Sequence, residues 1–128
     1  MARKKSPTLT EAELRLMEVL WEKRSATVGE VLAGLPDDTA LAYNTVLTTL
    51  RILESKGYVV HAESGRAFVY RPLVGRDEAR RSATQQLVRR FFDNSPGLLA
   101  LSLLEQEHID EEELERLKTL IARSKEGS

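Results

Sequence analysis

Between positions 44 and 55 the chain carries side chains of the type and spacing that read the edges of DNA bases. At 100° per residue, Asn44, Thr48, Arg51 and Ser55 fall on one face of a helix, with Thr45 and Ile52 flanking them. A surface helix would ordinarily carry Glu and Lys there. Short hydrogen-bonding groups plus one Arg instead let a helix sit deep in a major groove. Asn pairs with an adenine edge, Arg with guanine, and a Thr methyl meets the thymine methyl. Cations that suit phosphates lie close by in sequence: Lys56, Arg66, Arg71 and the N-terminal Arg3, Lys4 and Lys5.

Other chemistry finds little support. His61 and His108 are the only histidines and lie far apart, so each is expected to be a surface or packing residue. The run Asp110-Glu111-Glu112-Glu113 resembles a metal cluster, but acids in the first turn of a helix are explained by the macrodipole. There is no cysteine, which excludes disulfides, thiolate zinc sites and a cysteine nucleophile. No glycine-rich phosphate loop and no catalytic triad order is present. The expectation is a non-enzyme without a cofactor.

These residues need elements to hold them. Thr10-Glu11-Ala12-Glu13 is a capping box that opens a helix to about Lys23, with Leu14, Met17, Val19, Leu20 and Trp21 on its apolar side. A second capping box, Thr27-Val28-Gly29-Glu30, opens a short helix carrying Val28, Val31, Leu32 and Leu35, and Pro36-Asp37-Asp38 marks a turn. A third helix is predicted from about Ala42 to Lys56, ending at Gly57, with Val46, Leu47, Leu50 and Leu53 facing the core. Tyr58–Ala62 and Ala67–Tyr70 then read as strands joined through Glu63-Ser64-Gly65-Arg66, and Pro72 ends the second. Three helices followed by a hairpin is the order of a winged helix-turn-helix. Folds of this class also serve as protein-interaction modules that touch no DNA, which is the alternative function.

Downstream, a helix from Arg76 to about Phe92, a very apolar helix around Leu98–Leu104, and a last helix capped by Asp110 are expected. Their Leu and Phe side chains exceed what three short helices can enclose, and pairing with a second copy would cover them. The fold class is therefore mainly α with a small β-hairpin. Residues 1–74 form the winged-helix domain and residues 75–128 a helical dimerisation segment.

The chain has 128 residues, 41% hydrophobic and 30% charged, and a net charge of -1. That near-neutrality hides opposed blocks. Residues 39–76 carry five basic and two acidic side chains, whereas residues 93–128 carry four basic and nine acidic ones. Positive charge thus sits where phosphates would lie, and the acidic blocks oppose casual duplex binding. The longest apolar run falls far short of the ~20 residues of a membrane helix, and no apolar signal core follows the basic start, so a cytoplasmic protein is the default expectation.

Read in order, several motifs resemble the penicillinase-repressor family: Leu9–Leu14 leading to Leu20-Trp21-Glu22, Ala26–Val31, Ala42–Leu50, Lys56-Gly57-Tyr58, Gly65–Val74, and Phe91–Ser95 through to Glu112-Glu113-Leu114. The resemblance implies a homodimeric winged-helix repressor on a dyad double-stranded DNA operator, with no membrane association. By position it assigns DNA contacts to Tyr43, Asn44, Thr45, Thr48, Thr49, Arg51 and Arg66. Of these, Tyr43 and Thr49 fall nearer the core side of the helix, and Tyr43 is assigned to a phosphate near the helix start. Relatives commonly have Thr at the place of Asn44, so the operator sequence stays open. Members that confer antibiotic resistance are inactivated by cleavage of an Asn-Phe bond; this chain reads Leu101-Ser102-Leu103-Leu104 there. The resemblance therefore does not carry that route of induction over, and any upstream sensor or protease is left unidentified.

Overall fold

The computed structural model describes residues 8–126; the arm residues Arg3, Lys4 and Lys5 lie outside them. The described residues form two compact units that divide between residues 86 and 87.

In the first unit, α1 (Glu11–Lys23) begins at a complete capping box. The Thr10 hydroxyl accepts from the Glu13 amide, and the Glu13 carboxylate accepts from the Thr10 amide. The same device at Thr27 and Glu30 opens α2 (Val28–Gly34). Helix α3 (Tyr43–Lys56) ends at Gly57, whose φ of 89° is the left-handed conformation that a residue without a Cβ adopts at least cost. Strands β2 (Val59–Ser64) and β3 (Ala67–Pro72) pair antiparallel around Gly65 and Arg66, and Gly65 has φ 64° at the first turn position. The expected hairpin is in fact the larger part of a three-stranded sheet. A two-residue strand β1 (Ala26–Thr27) pairs with Tyr70 and Val69 on the outer edge of β3. Two residues are too few for a period to show, which is why the sequence conceals it.

Leu16, Met17 and Leu20 of α1, Val31 of α2, Val46, Leu50 and Leu53 of α3, and Val59 and Tyr70 of the sheet are fully buried together. Leu16 joins this core although the helical stripe read from sequence passed over it, and Leu14 is only half-buried. Leu47 is likewise half-buried, and Thr49 takes a buried place on α3 beside Leu50.

The first unit reaches past the boundary expected at residue 74. The Trp21 indole N–H donates to the Val74 carbonyl at 2.8 Å, and the Arg76 guanidinium sits 5.3 Å above the Trp21 ring. Ala79 packs against the core. The start of α4 (Arg76–Phe91) thus belongs with the winged helix.

The second unit contains the end of α4, α5 (Pro96–Gln106) and α6 (Glu111–Glu126). Ser95 caps α5 with Pro96 in its first turn, and the Asp110 carboxylate accepts from the Glu113 amide at the start of α6. Val88 is its buried residue among those described. Leu87, Phe91, Leu98, Leu101, Leu103, Leu104, Leu117, Leu120 and Ile121 are all exposed, Phe91 to 69%.

Candidate nucleic-acid interface

The exposed polar face of α3 begins at an uncapped N-terminus. Ala42 stands at the N-cap with no side-chain hydrogen bond, and the first turn carries no acid. Both preceding helices have capping boxes and first-turn glutamates. The leading N–H groups of α3 are therefore left to an outside acceptor, and the positive end of the helix dipole is not neutralised. Sequence reading missed this; the signal was available in the plain absence of Ser, Thr, Asp or Asn at position 42.

Beyond that end, Tyr43, Asn44, Thr45, Thr48 and Arg51 are exposed, and Ile52 and Ser55 continue the same surface. Tyr43, expected nearer the core, is 52% exposed. A depression of about 190 Å³ brings Tyr43, Leu47 and Arg51 of α3 together with Arg66 and Phe68 of the wing. Helix face and wing tip thus form one surface, carrying two guanidiniums, a phenol and an exposed aromatic ring.

The wing is held against α3 from behind. His61 Nδ1 lies 2.8 and 2.9 Å from the two Glu54 carboxylate oxygens, and its ring packs on Phe68 and Tyr70 at 4.5 and 5.4 Å. Burial pushes the Tyr70 phenol above its usual pKa, and Glu54 adds to the rise, so this side chain is neutral at any working pH. His61 is a packing residue that ties β2 to α3.

Three of the residues assigned to DNA are placed otherwise. Thr49 is 9% exposed and its hydroxyl donates to the Thr45 carbonyl at 2.7 Å, so it faces the core and has spent its donor. Lys56 is not available to a phosphate: its ammonium lies 2.7 and 2.9 Å from the two carboxylate oxygens of Glu13, itself 5% exposed. Burial alone would raise the Glu13 pKa, but the hydrogen bonds from Lys56 and Thr10 and the Lys56 charge bring it below its ordinary value. Arg71 is exposed, yet strand alternation puts it on the face opposite Tyr70 and His61, away from α3. Tyr43, Arg51 and Arg66 are the ones brought together in one depression, and Asn44, Thr45 and Thr48 are exposed on the same helix.

Among the described residues no group of three or more His, Asp or Glu side chains is arranged to hold a metal, and no helix is long and apolar enough to cross a membrane.

The profile of the family described as Penicillinase repressor matches residues 9–123. The penicillinase repressor of Bacillus licheniformis is 29% identical over 122 residues, covering 95% of each chain. A transcriptional regulator of Mycobacterium tuberculosis, BlaI, is 38% identical over 71 residues, 55% of this chain and 51% of that one. The solution structure of the DNA binding domain of the repressor BlaI superposes with a TM-score of 0.52 at 35% identity, covering 59% of this chain and 92% of that domain. The chain belongs to the penicillinase repressor family, a family of transcriptional repressors and not of enzymes.

Proposed function

We propose that this repressor acts as a homodimer on a dyad operator, each copy laying α3 in a major groove and its wing along the neighbouring backbone. The observation that carries this reading is the depression that joins Tyr43 and Arg51 of α3 to Arg66 of the wing, with Asn44, Thr45 and Thr48 exposed on the same helix. On this reading Asn44, Thr45, Thr48 and Arg51 meet base edges, while Tyr43, Arg66 and the uncapped start of α3 meet phosphates. Lys56 and Thr49 support the helix from within. Titrating duplexes of the protein's own upstream region at two salt concentrations tests it. Wild type should select one site, and Arg66→Ala should weaken all duplexes alike while flattening the salt slope by about 2 for the two copies of a dimer. No binding at low salt, or a loss with Arg66→Ala that depends strongly on sequence, would refute the assignment.

The second unit supplies the reason for a dimer. Its nine exposed large apolar side chains are more than a soluble surface tolerates as one patch, and a two-fold related copy presents the same patch in return. Light scattering should give twice the 14.4 kDa chain mass at micromolar concentration. Leu101→Glu with Leu120→Glu should give the monomer mass and lose operator affinity. A wild-type monomer would remove the dimer from the mechanism.

A further inference from the structure

We propose that the groove between α1 and the first half of α4 binds a small monocarboxylate with an apolar body, an aryl- or alkyl-carboxylic acid, and that its occupation alters operator affinity. The second half of this statement rests on the repressor reading above. The two helices are fixed to each other at one end, where Trp21 donates to the Val74 carbonyl and Arg76 lies over its ring. Further along they present facing stripes, Leu14, Glu18 and Trp21 on α1 against Arg76, Ala79, Arg80 and Ala83 on α4. Ala79 and Ala83 are too short to close the gap, and a cavity of about 320 Å³ remains. That is the lower end of the range that holds small molecules.

The lining says which molecule fits. Leu14, the Trp21 ring and the two alanines form apolar walls for a ring or short alkyl chain. Arg76 and Arg80, one helical turn apart, offer guanidinium forks that match a carboxylate in charge and geometry. Arg80 also makes an exposed 3.8 Å ion pair with Asp77, which a bound carboxylate would replace, and Glu18 on the facing helix opposes a second anionic group. Because Val74 is where the chain leaves the sheet to enter α4, a ligand bridging α1 and α4 would brace the helix that leads into the second unit. Its differential affinity for braced and unbraced states is what could change operator binding.

Trp21 is the only tryptophan, so its emission reports on the groove directly. The full-length protein would be titrated with 4-phenylbutyrate and octanoate, and with the amide of each. A saturable change with the acids, weakened about tenfold for the amides and for Arg76→Gln/Arg80→Gln, supports the site, since the charge-assisted bonds are what the amides lack. Ala83→Leu fills the groove from an exposed helix position and should keep the thermal midpoint while abolishing the response. No saturable change, equal response to acid and amide, or an unaltered response in Ala83→Leu overturns the site. A shift in operator affinity with saturating acid in wild type but not in Ala83→Leu supports the coupling, and no shift overturns it. Should the repressor reading itself fail, the unliganded protein would not bind operator, whereas the Trp21 titration would stand.

Discussion

Lys56→Met should destabilise the fold by about 3 kcal/mol at pH 7 and by far less near pH 4. Glu13 is 5% exposed, and its carboxylate serves two helices at once, capping the start of α1 through the Thr10 amide and holding the end of α3 through Lys56. Removing one partner of a buried pair typically costs ~3–5 kcal/mol, because the remaining charge is left without compensation. The lower figure applies here, since Glu13 retains its bonds with Thr10. The pH dependence follows from the direction of the Glu13 shift. In the wild type its pKa lies below the ordinary 4.5, so the carboxylate contributes stability above that pH and loses it as pH falls through the folded value. In Lys56→Met, burial is no longer opposed by the ammonium, the pKa rises, and Glu13 takes up a proton where wild type does not. The two stability curves should therefore diverge above about pH 5 and converge below it. Urea unfolding at both pH values measures this, and Glu13→Gln/Lys56→Met should recover much of the loss by removing the stranded charge while keeping an acceptor for Thr10. An equal loss at both pH values, or a double variant weaker than Lys56→Met, would show that Lys56 acts through packing alone.

The pair also explains where the sequence stopped being informative. A lysine at the end of a predicted recognition helix looks like a phosphate ligand, because charge and position are visible and the partner 43 residues earlier is not. Glu13 was already accounted for by the capping box, and nothing in its spacing hints that the same carboxylate serves a second helix. Thr49 is the opposite case. The helical wheel put it toward the core, and the structure keeps it there with a local bond to the Thr45 carbonyl. What was legible is whatever depends on local chemistry: both capping boxes, the Gly57 stop, the turn at Gly65, and the polar face of α3. What was not legible depends on contacts distant in sequence. The β1 strand exists because β3 has a free edge, and the first unit extends to residue 86 because Trp21 reaches Val74 and Arg76.

Arg51→Ala should sharply lower operator preference while leaving the fold intact. Arg51 is exposed in the middle of α3, where Ala is the better helix former, so no loss of stability is expected to accompany the change. A bidentate arginine–guanine contact is worth ~1–3 kcal/mol of discrimination. A homodimer carries two, so the preference for operator over random duplex should fall by ~2–6 kcal/mol, roughly thirtyfold to more than ten-thousandfold. Arg51→Lys separates the two things an arginine does. It keeps the positive charge, so the salt slope should stay near that of wild type, but it lacks the planar fork that reads O6 and N7 together, so the preference should still fall. Arg66→Ala is the converse, with preference retained and slope reduced, although both side chains line the same depression. Competition binding with operator and scrambled duplex at two salt concentrations distinguishes all three variants. If Arg51→Lys retained full preference, Arg51 would be a phosphate contact, and base reading would rest on Asn44, Thr45 and Thr48 alone.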